Sequence, residues 1–186
     1  EVNKLYAEHY GVPVPDHIGW KIPEMFDAAI DGRLKALWLI GEDVVQTDPN
    51  TNKVIRAMES LDLLVMQEIF MTETARYADV ILPATTFLEK SGTFTNGERR
   101  VQRVQAAVDP LPGTRSDGQT IVDITERVAD CLSLPNPFSN GSGAAASIDK
   151  YQQQVQEGGR TVTRTEYHPA WALEEISAIV PFFKGI

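Results

Sequence analysis

Three apolar runs in this chain stop abruptly at residues able to accept hydrogen bonds. Residues 36–40 end at Gly41-Glu42-Asp43, residues 63–66 at Gln67-Glu68, and residues 80–82 at Pro83-Ala84-Thr85. As parallel strands these runs would share one edge, and ligands of open parallel sheets bind in the crevice beyond the carboxyl ends of the strands. A carboxylate after the second strand, the slot of Glu68, can accept hydrogen bonds from ribose hydroxyls. Asp43 is placed for similar work. Asp117 offers a different possibility, because a carboxylate takes two parallel bonds from the N1–H and N2–H2 edge of guanine, an edge adenine lacks. Each carboxylate also has a plain alternative. Asp and Glu are mostly solvated, and Asp117, beside Ser116 at a helix start, is a natural N-cap. Gly41 stands alone after the first run, so the glycine-rich fingerprint of an ordinary dinucleotide dehydrogenase is absent.

The elements that must position these groups are legible in the spacing. Residues 22–30, with Pro23 early, Met25, Phe26, Ala29 and Ile30 on one side and Gly32 as terminator, predict a short helix. The unbroken apolar stretch 36–40 predicts a strand covered on both faces. Asp48-Pro49 supplies an N-cap and a first-turn proline for a helix carrying Val54, Ile55, Met58 and Leu61. A second strand, a helical stretch near residues 72–77 and a third strand follow. This alternation predicts the α/β class, an open parallel sheet with flanking helices in a Rossmann-like βαβαβ order.

Beyond it, Gly92 and Gly97 predict a loop, then a β-arm through Val101, Val104 and Val108. Asp117-Gly118 opens another helix, whose apolar row Ile121, Ile124 and Val128 takes in Cys131 as a buried, inert thiol. Residues 133–159 have loop composition apart from a short helix after Ile148, so 133–166 is expected to be a flexible insertion in a single domain of residues 1–186. From Pro169, the spacing of Ala172, Ile176, Ile179 and Val180 predicts a terminal amphipathic helix docked on the sheet.

The 186 residues suffice for a sizeable core, and 42% hydrophobic with 23% charged residues is ordinary for a soluble globular protein. With 26 acidic against 17 basic residues, the net charge of -9 disfavours nucleic acid as a partner. His9, His17 and His168 lack ligand spacing, so no metal site is expected, and one cysteine excludes an intramolecular disulfide and any cysteine-built cluster. No apolar run is long enough for direct membrane insertion. Glu1-Val2-Asn3-Lys4 lacks both a secretory pattern and an initiator Met, which points to an excised or processed piece; an absent signal does not give the compartment, for which the cytoplasm is the favoured expectation.

The combined motifs are recognisable. Gly41-Glu42-Asp43 with Gln46-Thr47-Asp48-Pro49, Gln67-Glu68-Ile69-Phe70-Met71-Thr72-Glu73-Thr74-Ala75 with Ala78-Asp79-Val80-Ile81-Leu82-Pro83, and Gly92-Thr93-Phe94-Thr95-Asn96 with Glu98-Arg99-Arg100-Val101-Gln102 closely resemble the molybdopterin oxidoreductase family. The likeness is greatest to the alpha (catalytic, large) subunit of molybdenum- or tungsten-dependent formate dehydrogenase, and resumes at residues 167–186, where Pro181-Phe182-Phe183-Lys184-Gly185 resembles the family's ending of this region.

The resemblance implies a domain that binds one molybdopterin guanine dinucleotide, with Asp43, Thr47, Gln67, Glu68 and Asp117 contacting the cofactor. Asp117 would take the guanine, Glu68 the ribose, and Thr47 with nearby amides the phosphates. Arg99 and Arg100 are secondary candidates, in an arm whose first reading is structural. Val44, Glu68 and Gly118 depart from the usual proline, aspartate and tryptophan. In the parent subunit the resemblance implies formate oxidation to CO2, a Mo or W centre, an iron-sulfur cluster and electron-transfer subunits. Their ligands lie upstream of this region, so the isolated chain is expected to be inactive. Two other readings compete: the same domain of a nitrate reductase-like enzyme or respiratory complex subunit, and a free-standing guanine-nucleotide-binding module.

Overall fold

The parallel sheet expected from the three apolar runs is present in the computed structural model, which describes residues 2–11, 13–136, 138 and 151–180. The chain divides into two compact units, one of residues 17–89 and 107–117, the other of residues 1–16, 90–106 and 118–186. With helices and both parallel and antiparallel strands, the class is α/β.

The first unit carries the sheet. Its strands β1 (Ala36–Ile40), β2 (Leu63–Glu68) and β3 (Val80–Pro83) lie in the order β1-β2-β3, all parallel, with Leu39 opposite Met66 and Met66 opposite Ile81. Leu64 and Met66, on one face, are 0% and 1% exposed. Against Leu64 pack Phe26 and Ala29 of α1 (Ile22–Ile30), Val44 and Val45 of α2 (Val44–Thr47), and Val54, Ala57 and Met58 of α3 (Thr51–Glu59). Burying such side chains contributes about 1.5–3 kcal/mol each, which makes this cluster the stabilising centre of the unit.

Three expectations need correction here. The helix after β1 is capped by Asn50, in the left-handed conformation at φ 66°, whose Oδ1 accepts from Lys53 N at 3.3 Å; Asp48-Pro49 lies before the cap, and Leu61 lies beyond the helix end. Asn tolerates that conformation and bonds forward at once, so it outcompetes the Asp-Pro pair. The single turn α2 was not foreseen; it forms where Val44 and Val45 turn into the core directly after β1. Nor is the sheet covered on both faces within this unit. Ile40, Leu63 and Val80, alternating away from the Leu64 face, are exposed.

Among its described residues the second unit has two hairpins and three helices. Strands β4 (Gly92–Thr95) and β5 (Val101–Val104) pair antiparallel, so Gly92-Thr93-Phe94-Thr95 is strand rather than loop, and Val108 lies outside the arm. Their turn is made by Asn96, whose Oδ1 accepts from Glu98 N and Arg100 N, both at 3.0 Å, with Arg99 at φ 63°. The arm motif is therefore built around a structural turn.

Residues 152–165 are likewise not a loop. Strands β6 (Gln152–Glu157) and β7 (Arg160–Thr165) pair around Gly158-Gly159, both at positive φ as a type I′ turn requires. The rest of the expected insertion, residues 139–150, lies outside the described residues, as does Pro181-Phe182-Phe183-Lys184-Gly185.

Helix α4 (Asp117–Leu132) buries Thr120, Val122, Glu126 and Ala129. Ile121 and Val128 are exposed, and so is Cys131, which overturns its reading as a core thiol. The buried stripe includes Glu126, whose Oε1 accepts from Thr165 N at 3.0 Å and Asn136 Nδ2 at 3.1 Å, joining α4 to β7. Beside it Arg164 pairs with Glu157 and Asp130, both at 2.8 Å, and these bonds raise the guanidinium pKa. The other described helices are α5 (Pro169–Ile179) and an N-terminal helix (Val2–Tyr10), which pack together, with α5 also meeting β4. Among the described residues no helix is long and apolar enough to cross a membrane.

Candidate functional site

Backbone hydrogen bonds carry the sheet's ladder past its named strands. Gly41 N donates to Gln67 O at 2.9 Å, Ala84 N to Glu68 O at 3.1 Å, Arg115 N to Pro83 O at 3.1 Å, and Thr85 N to Arg115 O at 3.2 Å. Ala84 and Arg115 form a parallel bridge. Residues 41, 67–68, 83–84 and 115 therefore line up across one edge, the carboxyl-terminal one, and Asp117 follows two residues later. The loop that delivers Asp117 is anchored by Glu89, whose carboxylate accepts from Thr86 N at 2.7 Å and Leu111 N at 3.1 Å. The Thr86 bond is the main cause of the lowered pKa of Glu89.

Two sequence candidates meet at this edge. Gln67 donates from Nε2 to Asp117 Oδ1 at 2.8 Å, across 50 residues of sequence. Gln67 is 0% exposed and its Oε1 has no hydrogen-bond partner. Its amide orientation follows from chemistry: reversed, the oxygen would face the Asp117 carboxylate, acceptor against acceptor. Gln67 has no exposed surface, and its side-chain amide is directed at Asp117. Glu68, next in the chain and half-buried, accepts from Ile69 N at 2.7 Å, which fixes its carboxylate at the strand end.

The other candidates are engaged differently. Asp43 Oδ1 accepts from Thr74 N at 3.0 Å and Thr74 Oγ1 at 2.5 Å, and Val45 N donates to that same hydroxyl at 3.0 Å. Thr74 is fully buried at the start of the short 3-10 helix Thr74–Tyr77. Asp43 therefore ties the segment after β1 to the segment after β2. Thr47 is exposed and donates from Oγ1 to Glu42 Oε1 at 2.6 Å, so the hydroxyl expected near phosphate is paired with a carboxylate. The five candidates thus fall into three groups: Gln67 with Asp117, Glu68 with its neighbouring amide, and Asp43 with Thr47, whose Oγ1 donates to Asp43 O at 3.2 Å while the Asp43 carboxylate holds Thr74 and Thr47 also donates to Glu42.

Sequence reasoning missed Thr74, Glu42 and Glu89 as partners. Thr74 had a signal, a small polar residue inside the recognised stretch 72–75, but its partner is 31 residues away. Among the described residues there is no group of three or more His, Cys, Asp or Glu able to hold a metal.

Asp117 and Glu68 both bring carboxylates to this edge, and a carboxylate accepts hydrogen bonds from N–H and O–H groups. Gly118, where the resemblance leads one to expect tryptophan, is accounted for by packing. A Cβ there would lie 2.5 Å from the Tyr167 ring, and Tyr167 is itself held through its N–H by Gln119 Oε1 at 2.6 Å.

Comparison with known proteins places the chain. The pattern of the family described as molybdopterin oxidoreductase matches residues 6–127, and the chain belongs to that family. Within the family it is similar to proteins named as formate dehydrogenases. It is 39% identical over 156 residues to the putative formate dehydrogenase YrhE of Bacillus subtilis (strain 168), covering 82% of this chain and 16% of that protein. It is 40% identical over 186 residues to the putative formate dehydrogenase SAR2393 of Staphylococcus aureus (strain MRSA252), covering 100% of this chain and 16% of that one. The chain therefore spans about a sixth of the length of these relatives. Among solved structures, acetylene hydratase from Pelobacter acetylenicus shares the fold at a TM-score of 0.55 and 19% identity, over 89% of this chain and 24% of that one.

Proposed function

We propose that this domain binds the nucleotide half of one molybdopterin guanine dinucleotide in the alpha subunit of a formate dehydrogenase. The observation that carries the proposal is the Asp117 carboxylate, steered by the buried Gln67 amide at the carboxyl edge of a parallel sheet. Asp117 takes the guanine edge and Glu68 the ribose hydroxyls. Thr47 meets phosphate once its hydroxyl leaves Glu42, and Asp43 supports the site by holding Thr74. When bound, the pterin pair supplies the metal centre at which formate oxidation to CO2 is carried out, with Mo or W as the metal. The residues of that chemistry and an iron-sulfur cluster belong to other parts of the parent subunit, so this chain alone binds and orients without turning over formate. Its partners are the remaining domains of that subunit and electron-transfer subunits, in the cytoplasm, with neither nucleic acid nor direct membrane insertion involved. The similarity to proteins named formate dehydrogenase at about 40% identity supports this reading.

The test is an NMR titration of the chain with GDP and with ADP, on the native sequence and on Asp117→Asn. GDP should shift resonances of the sheet edge at lower concentration than ADP, and Asp117→Asn should remove the difference. One half of a cofactor on one domain makes only part of the full site, so dissociation constants in the millimolar range, about -4 kcal/mol, are the scale to plan for. Equal responses to both nucleotides refute the assignment of Asp117.

A further inference from the structure

We infer that Gln67 is a positioning residue for base selection: its buried amide fixes the carboxylate of Asp117 so that the site discriminates guanine from bases with fewer donors. The inference rests on the nucleotide-binding reading above. It adds the device that would make the carboxylate selective.

A carboxylate at the start of a helix has two competing uses. It can rotate to cap the helix, accepting from the backbone N–H groups of the first turn, or it can face outward. A base edge with two parallel donors is recognised only when both oxygens are held in one plane and one direction. Asp117 is the first residue of α4. The Gln67 Nε2 bond at 2.8 Å takes one of its oxygens and sets that plane.

The amide is itself immobile. Gln67 is 0% exposed, sits within β2, and gives its backbone oxygen to Gly41 N at 2.9 Å. The arrangement costs stability. Gln67 Oε1 is buried with no partner, and a buried acceptor left unpaired is destabilising, where a leucine or methionine of similar volume would cost nothing of the kind. A buried amide that satisfies a distant carboxylate while leaving its own oxygen unpaired is poorly explained by stability and well explained by the need to direct that carboxylate.

The experiment compares GDP, IDP and ADP binding to the whole 186-residue chain, native and Gln67→Met, by isothermal titration or NMR. IDP keeps N1–H and lacks the N2 amine, so the GDP to IDP affinity ratio reads the two-donor geometry directly. The native chain should favour GDP, and Gln67→Met should cut the GDP to IDP ratio about tenfold, the scale of one misdirected charge-assisted bond. In Asp117→Asn, adding Gln67→Met should change the ratio no further, because the two residues act as one unit.

A structural role alone would lower the melting temperature and all three affinities together while preserving the ratio. An unchanged ratio in folded Gln67→Met, with native GDP preference intact and lost in Asp117→Asn, overturns this inference and leaves nucleotide binding standing. Absence of any GDP preference in the native chain overturns the nucleotide reading itself. Should Gln67→Met not fold, the native chain decides. The side-chain amide resonances of Gln67 should move further with GDP than with ADP, since guanine competes for the oxygen they bind, and equal movement overturns the inference.

Discussion

Replacing Asp43 with alanine should destabilise the sheet-bearing unit while leaving its preference among nucleotides intact. The carboxylate joins two segments that no strand pairing connects, accepting from Thr74 N at 3.0 Å and Thr74 Oγ1 at 2.5 Å. Thr74 is 0% exposed, so its amide has no water to turn to when the acceptor is removed. Its hydroxyl keeps Val45 N as a donor but loses the acceptor for its own proton. Hydrogen bonds to charged groups are worth about 1.5–3 kcal/mol each, and two that share one oxygen are not additive, so about 2–4 kcal/mol is the expected loss.

Urea denaturation followed by circular dichroism reads this directly. With a slope of about 2 kcal/mol/M, the midpoint should fall by about 1–2 M. Asp43→Asn retains one acceptor oxygen and should lose less than Asp43→Ala. Thr47→Ala, whose exposed hydroxyl meets only Glu42 and a nearby carbonyl, should stay within about 0.5 kcal/mol of the native chain. Under conditions where Asp43→Ala is folded, its GDP to ADP preference should match the native value. A midpoint unchanged by Asp43→Ala, or a loss of base preference without loss of stability, would refute the structural assignment and return Asp43 to the ligand.

Other expectations are as direct. Gly118→Ala brings a methyl to 2.5 Å from the Tyr167 ring and should cost about 1–3 kcal/mol, read as a lowered melting temperature; no loss would mean that the ring moves aside freely. The carboxyl of Glu157 has a lowered pKa, chiefly through its Arg164 hydrogen bond, so the stability it contributes is present above its ordinary 4.5 and is lost as pH falls through the lower folded value. Glu157→Gln should therefore flatten the fall in stability below pH 4.5, and an acid limb as steep as the native one would count against the pair. Cys131, exposed on α4, should react with a thiol reagent in the native state at a rate close to that of the urea-unfolded chain.

The elements whose evidence is local were the most legible. A run of five apolar residues, a proline near a helix start and a glycine after its end fixed β1 and α1 to the residue. Where two local signals competed, the stronger backbone effect prevailed, as at Asn50 over Asp48. The hairpin of β6 and β7 was obscured because its strands are polar, with Gln152, Gln154 and Gln156 facing Thr165, Thr163 and Thr161, so its evidence lies in cross-strand pairing and in Gly158-Gly159 rather than in hydrophobic alternation. On α4 the row Ile121, Ile124 and Val128 looked like a core stripe. The buried face instead includes Glu126, whose Oε1 accepts from Thr165 N on β7 and from Asn136 Nδ2, partners outside the helix that helical spacing does not reveal.

The candidate site shows the same division between residue type and residue commitment. Asp43, Glu68 and Asp117 are three acidic residues at strand ends, and sequence alone treats them as equivalent acceptors. Structure separates them by what they are already bonded to. Asp43 gives one oxygen to a buried threonine. Glu68 binds only the amide beside it, and Asp117 is steered by an amide that has no other partner. A carboxylate held by a scaffold donor that is itself poorly satisfied is the arrangement in which stability has been given up for direction. That asymmetry, rather than the presence of acids at an edge, is the reason for proposing Asp117 and Gln67 as the pair to test for base recognition.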